Sequence, residues 1–404
     1  MALAVALWLF VGATPSDEGP VDSRSIARNG TASVLAARAV ELGIDFDPSN
    51  KGAAHPSDAD LDALDRAAPA AWVRTELEAP DETIDAPPGA LRTFIERRAG
   101  ALGAIVAALE KEPPEWSRRE EVSGLAELFP SLQLERVLLA AALEAERAGD
   151  PIQANRALEA SWALSRPVAE SSTLIHQLLA TQTAKWQAGV LRKVKEPSLA
   201  WLGRLSSDDG WLAMLAGLDA EAGFARGKDD LQSPDSFRVL ERRAPALLAE
   251  GLGKLSPCEA AGLGEDEVWA IVERGLLPAS RPEEVSARQI YRDSFLPLAV
   301  SSVKRAARAA VDRELSWEIL ILRLEKSQDR QGKWPARLSD PASRVCPPLS
   351  YTYVSDNAGM EIEFGASIED PAPILVLPLV FHGRNPEPAV PLTPAPAGGM
   401  IPPQ

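Results

Sequence analysis

The sequence predicts a mainly α protein: an irregular array of helical hairpins ending in a small C-terminal α+β module that contains a β-hairpin. Three observations predict it. Ala, Leu and Glu dominate while only three Tyr and nine Phe occur in 404 residues, and long unbranched side chains lose little rotamer freedom in a helix. Apolar residues recur at helical spacing between Pro and Gly punctuation along most of the chain. After Gly332 the period of that pattern changes from 3.6 to 2.

Composition bounds the class. With 46% hydrophobic and 25% charged residues the chain can bury a large core in two or three domains. The formal charge of −16 repels phosphate backbones, and no basic stripe with interleaved aromatics offsets it. No nucleic-acid partner and no cofactor are expected.

Residues 1–22 are expected to be an apolar signal or anchor remnant plus a linker. The run "MALAVALWLFVGA" would reach about 20 Å as a helix, short of the roughly 30 Å hydrocarbon core. Val11-Gly12-Ala13 suits a signal peptidase, although no basic residue precedes the run and the first is Arg24. A trimmed signal anchor accounts for both features; an apolar helix packed on the body is the alternative.

The helical body is expected over 23–298. Residues 23–80 read as two helices, the second capped by Ser57 and opened by Asp58 and Asp60. Pro87-Pro88 starts a helix to about Lys111, with Leu91, Phe94 and Ile95 on one face. A hairpin follows, with one helix near 131–147, a Gly149-Asp150-Pro151 turn and a second helix to Ser165, so that Leu138, Ala142, Ala157, Leu158 and Trp162 can meet. No second copy appears at a period near 34 residues, which excludes a regular repeat array. A third helix begins at a Ser171-Ser172 cap, and others occupy 197–206, 208–226, 235–252 and 265–276. Ser280-Arg281-Pro282-Glu283 reads as a capping box.

The module is expected over 299–383. Pro297 should break the preceding stretch, and a long helix then runs to about 329 with Leu315, Ile319 and Leu322 aligned. Gly332 can take the left-handed conformation that ends a helix, Pro335 forbids continuation, and Trp334 before it is forced extended. Leu349, Tyr351 and Tyr353, a turn at Asp356-Asn357-Ala358-Gly359, and Met360, Ile362 and Phe364 then form a β-hairpin. The Pro-interrupted run 371–381 would add an edge strand. Seven prolines among residues 384–404 describe a disordered or polyproline tail.

Gly332-Lys333-Trp334-Pro335-x-x-Leu338, set between a helix and a hairpin, resembles the G-x-[Y/W]-P-x-x-L joint of type II secretion pseudopilins. The same pattern closes uncharacterised exported or membrane-anchored bacterial proteins with helical bodies. Gly149-Asp150, Ala154, Ala157-Leu158, Leu174-Ile175 and Leu178 resemble the helical region of that second group. The likeness covers 130–190 and 312–366. It departs from true pseudopilins, whose helix is N-terminal, follows a cleavage site and enters the membrane. What the closer resemblance implies is an exported protein.

Chemical motifs are sparse. "EGLGKLS" at 250–256 lacks the earlier Gly and the Ser or Thr of a phosphate-binding loop, and "GFARGKDD" fails similarly. His176 reads as a core imidazole, while His55 and His382 fall in expected loops. Asp208-Asp209, Asp229-Asp230 and Glu265-Asp266-Glu267 could supply paired carboxylates, which glycoside chemistry needs at about 5–10 Å in a cleft; helix capping is the plainer reading. Trp334, with Gly332 and Pro335, is either an interaction corner or a structural joint. Cys258 and Cys346 either form a disulfide or stay as two buried thiols, and neither has zinc-ligand spacing. The expected function is a non-catalytic interaction or scaffold protein, exported or membrane-tethered in the cell envelope, with an unidentified protein partner. Alternatives are an envelope hydrolase acting on glycan or peptide, an accessory part of a secretion or pilus system, and a cytoplasmic location.

Overall fold

A computed structural model describes residues 27–46, 68–116, 128–171, 173–207, 210–227, 235–279, 281–369 and 375–385. The apolar run at 1–13, the Ser57 cap and the prolines from 386 onward lie outside the described residues. What is described is mainly helical with one small sheet.

Helices α1 (Gly30–Ala39), α2 (Ala68–Glu78), α3 (Gly89–Arg97) and α4 (Ala99–Leu109) come first. One helix was expected where α3 and α4 lie; the chain bends at Arg98, whose φ/ψ of −99°/10° departs from helical values. The Arg98 N–H still donates to Phe94 O and its carbonyl accepts from Leu102 N, so the bend preserves hydrogen bonding.

The hairpin is α5 (Leu128–Arg147) and α6 (Pro151–Ala169). Gly149 has φ 80°, Asp150 caps α6 by accepting from Gln153 N, and Pro151 sits where its missing N–H is harmless. Helix α7 (Leu174–Lys193) is capped by Thr173 rather than by the expected serines. Then come α8 (Ala200–Ser207), α9 (Gly210–Gly227), α10 (Asp235–Leu252), α11 (Pro257–Ala261) and α12 (Glu265–Gly275).

Helix α13 corrects one expectation. It runs unbroken from Pro282 to Gln328, so Pro297 lies inside it and the 298/299 division falls within a helix. An interior proline costs about 3 kcal/mol, but the flanking Leu296, Ala299 and Val303 are all buried in one cluster, and their burial outweighs it. Its N-terminal carboxylate also differs: Glu284, not Glu283, accepts from the Arg281 N–H.

At 47 residues α13 is about 70 Å long, and it serves three cores. Leu320 joins a cluster with α1 to α7, Ala287 to Ala306 join one with α9, α10 and α12, and Val311, Leu315, Ile319 and Leu322 join the sheet.

The sheet has strands β1 (Tyr351–Ser355), β2 (Gly359–Phe364) and β3 (Val380–Arg384), in the order β1-β2-β3 and antiparallel throughout. The expected hairpin is present, with Tyr351 facing Phe364 and Tyr353 facing Ile362. The third strand starts later than the 371–381 run suggested, past Pro378, because a proline cannot donate to the ladder.

Candidate functional site

The helix-to-sheet corner was the first candidate. Gly332 has φ 63°, and Asp329 Oδ1 accepts from Gln331 N and Lys333 N, which folds the turn. Trp334 is 6% exposed and Nε1 donates to Arg384 O at 3.2 Å. Lys326 Nζ sits 4.1 Å from the ring centroid and also donates to Arg384 O. A Cβ on Gly383 would lie 2.4 Å from the Trp334 ring, so the indole rests directly on the backbone of β3. Pro335 O accepts from Tyr353 Oη at 2.8 Å and Ser355 Oγ at 2.7 Å. Gly332, Trp334 and Pro335 thus join the end of α13 to Tyr353 and Ser355 of β1 and to Gly383 and Arg384 of β3, and the indole, packed on Gly383 and under Lys326, is buried.

Cys258 and Cys346 are joined in a disulfide, their Cα atoms 5.3 Å apart. Cys258 lies on α11, which Ser256 and Glu259 close with a reciprocal capping box. Cys346 is fully buried in the loop before β1. Glu314 of α13 holds that loop: its carboxylate accepts from Ser343 Oγ at 2.6 Å, Arg344 N at 2.6 Å, Val345 N at 3.3 Å and Tyr351 Oη at 3.0 Å. Burial pushes the Tyr351 hydroxyl up, and the Glu314 charge adds to it, so the phenol is the donor. In the chain-entropy account a bridge across 88 residues contributes about 4–5 kcal/mol.

A second polar centre surrounds Asp312, which has no exposed surface. Its carboxylate lies 3.2 Å from Arg308 Nε, 3.4 Å from Arg192 Nη2 and 3.9 Å from Lys185 Nζ. Both guanidinium groups also donate to the segment that leads into β3, Arg192 to Pro378 O and Arg308 to Ile368 O and Leu377 O. Farther along α13, Arg323 donates to Leu191 O and Arg192 O in the last turn of α7 and to Val194 O just after it. Burial lowers the Arg323 guanidinium to about 10, opposed by Glu82 and Glu146. These donors fasten backbone carbonyls, and that use leaves no guanidinium fork aimed at a ligand.

The third centre lies in the hairpin. Glu135 Oε1 accepts from Ser161 Oγ at 2.6 Å and Gln187 Nε2 at 2.8 Å, while Oε2 is buried without a hydrogen-bond partner. Burial pushes this carboxyl up to about 8. Beside it is a void of about 10 Å³; a second void, of about 50 Å³, lies between α6, α7, α9 and α13 with Trp162, Gln187, Trp211 and Arg313 in its wall. Substrate sites run to about 300–1,000 Å³, so neither accepts a metabolite.

The remaining candidates disperse. Glu265-Asp266-Glu267 opens α12, where Glu267 accepts from Gly264 N and Asp266 pairs with Arg292. Asp208-Asp209 and Asp229-Asp230 lie outside the described residues, as does His55. His176 is half-buried with Nδ1 on Thr173 Oγ1, and His382, placed on β3 rather than in a loop, has Nδ1 3.3 Å from Glu361. Among the described residues no cluster of His, Cys, Asp or Glu is placed to hold a metal, and no helix is long and apolar enough to cross a membrane.

The polar centres were missed at the level of sequence, though a signal existed. Glu135 stands inside the apolar run "LQLERVLLAAAL", and Arg308 and Asp312 are spaced i, i+4 within "AARAAVDREL", so each charge falls on a face that must be buried. No protein-family profile, curated protein or solved structure matches the chain.

Proposed function

We propose that this chain is an exported, non-catalytic scaffold of the cell envelope that holds a protein partner. The observation that carries the reading is the Cys258–Cys346 disulfide, which ties the α11 end of the helical body to the loop entering the sheet; such bridges persist in oxidising compartments and are rare where thiols are kept reduced. The use of Arg192, Arg308, Arg323 and Glu314 as backbone fasteners supports it further, because these buried ionic groups hold elements together instead of converging on a cleft. The net charge of −16 suits a partner with a basic face and disfavours anionic surfaces.

Two linked measurements test this. Thiols are alkylated in intact cells before lysis, and the protein is then reduced and labelled with a second reagent of different mass. The reading expects both cysteines to carry the second label; both carrying the first would contradict export. Crosslinking in cells followed by purification of the full chain should then return a stoichiometric protein partner that is lost at high salt. Recovery of the chain alone would contradict the scaffold role.

A further inference from the structure

The two edges of the sheet are treated differently. Along β3 the segment between α2 and α3 covers the edge, where His382 N donates to Pro80 O and Asp81 bridges to His382. β1 forms the other edge, with β2 as its strand neighbour. In an antiparallel pair, successive residues turn their N–H and C=O groups alternately toward the partner strand and away from it. Gly365 N donates to Ser350 O and Asp356 N to Gly359 O, in step with the pairing of Tyr351 and Phe364. Thr352 and Val354 therefore bond to β2, while Tyr351, Tyr353 and Ser355 turn their backbone groups outward.

Tyr351 N is taken by Pro341 O, where residues 341–343 run beside the start of β1. Beyond that point the edge is unpaired: Tyr353 N and Ser355 N have no acceptor among the described residues. Pro335 lies on the core side, where its carbonyl takes the Tyr353 and Ser355 hydroxyls. Unpaired backbone N–H groups are rare in protein interiors, so an edge that leaves two of them faces water.

Charge on the outer face says what fits beside it. Thr352 stands opposite Glu363 and Val354 opposite Glu361, and all four are exposed, Val354 by 59%. Glu361 lies 3.3 Å from His382, and Glu363 has no ion pair among the described residues. A strand added to β1 would carry its outer side chains two strand spacings, about 10 Å, from these carboxylates. A stretched Lys or Arg spans that distance, with its apolar stem on Val354 and its charge beside the glutamates. An acidic side chain there is repelled.

Building on the scaffold reading, we infer that the Tyr353–Ser355 edge is the docking surface for the protein partner, which adds a short extended segment to β1 as a fourth strand and lays a Lys or Arg over Val354. Main-chain bonds to Tyr353 and Ser355 hold the segment, and Glu361 and Glu363 select its charge. Residues 341–343 already occupy the place beside Ser350 and Tyr351, so the segment pairs with two outward residues only.

The test is amide exchange in the full chain labelled with isotopic nitrogen at tyrosine, which reports on Tyr291, Tyr351 and Tyr353. Tyr353 is expected to exchange roughly tenfold faster than Tyr351 or more. A capped peptide of alternating Lys and Val should slow Tyr353 and leave Tyr351 as it was, and a peptide of alternating Glu and Val should not. Slow exchange at Tyr353 in the chain alone, whether a second copy or another segment of the chain covers it, overturns the inference. So does a Lys-Val peptide without effect, or an equal effect of the Glu-Val peptide. Glu361→Gln with Glu363→Gln, both at exposed positions, should weaken the Lys-Val peptide severalfold and reduce the partner recovered by crosslinking in cells; undiminished protection or recovery would count against the edge. The exchange measurement uses the purified chain, so it fails separately from the scaffold reading, which fails when no partner is recovered at all.

Discussion

Arg308 and Asp312, one turn apart on α13, pair at 3.2 Å in an interior where Asp312 has no exposed surface. Taking two charges out of water is expensive, and further hydrogen bonds to both partners offset that cost. Arg308 reaches the carbonyls of Ile368 and Leu377, and Asp312 also meets Arg192. Removing the carboxylate therefore strands two buried guanidinium groups. Asp312→Ala should cost about 3–5 kcal/mol in urea unfolding, and a loss below about 1 kcal/mol would show that the cations are solvated some other way.

The Trp334 joint makes a steric prediction. Trp334→Ala empties a buried site and should cost about 3–5 kcal/mol. Gly383→Ala places a methyl group 2.4 Å from the same ring and should destabilise through overpacking by about 1–3 kcal/mol. In the Trp334→Ala background the clash is gone, so adding Gly383→Ala should cost much less. Strict additivity in that double-mutant cycle would mean that the ring does not lie on β3.

The disulfide prediction separates the clasp from the fold. Cys258→Ser with Cys346→Ser should lower stability by about 4–5 kcal/mol and lower Tm by several degrees, read by calorimetry against the oxidised chain. Helix content should change little at 25 °C, since α13 and Glu314 still hold the 343–346 loop. Equal thermal stability with and without the bridge would contradict the clasp.

Stability should depend on pH through Glu135. Its native carboxyl is raised by burial to about 8, whereas in the unfolded chain it titrates near the ordinary carboxylate value of about 4.3. The native state therefore holds the proton across that window, and stability is highest below it and falls as pH rises toward 8. Glu135→Gln should flatten this slope and be the more stable protein above pH 8, by an amount on the order of a few kcal/mol. Glu318, pushed to about 7 by burial with Arg344 opposing, contributes a slope of the same sign that persists in the variant. An unchanged slope in denaturant melts from pH 5 to 9 would mean that Glu135 ionises freely in the fold.

Much of the fold was legible because local rules and tertiary packing agree. The Gly149-Asp150-Pro151 turn, the Gly332 stop and the alternation through Tyr351 to Phe364 each rest on a backbone or period constraint that neighbours do not override. Pro297 was misleading because its local penalty is set against the burial of residues from three sequence-distant helices, a quantity that no window contains. The corner residues were legible as a break and as either a joint or an interaction corner, but the partners were not: Trp334 rests on Gly383 and Arg384, fifty residues away. For Glu135, Asp312 and Glu314 the buried position was signalled but the partners were not, since apart from Arg308 they come from other helices and from the loop before β1.

Amide hydrogen exchange along α13 in the oxidised full-length chain tests most directly whether one rod unites the three cores. The rod predicts slow exchange on both sides of Pro297, continuous with the protection of 310–325 and of the strands 351–364, and loss of all of it in a single transition as urea is raised. Fast exchange confined to 292–300, or strands that open at lower urea than residues 282–290 while the disulfide is intact, would contradict it.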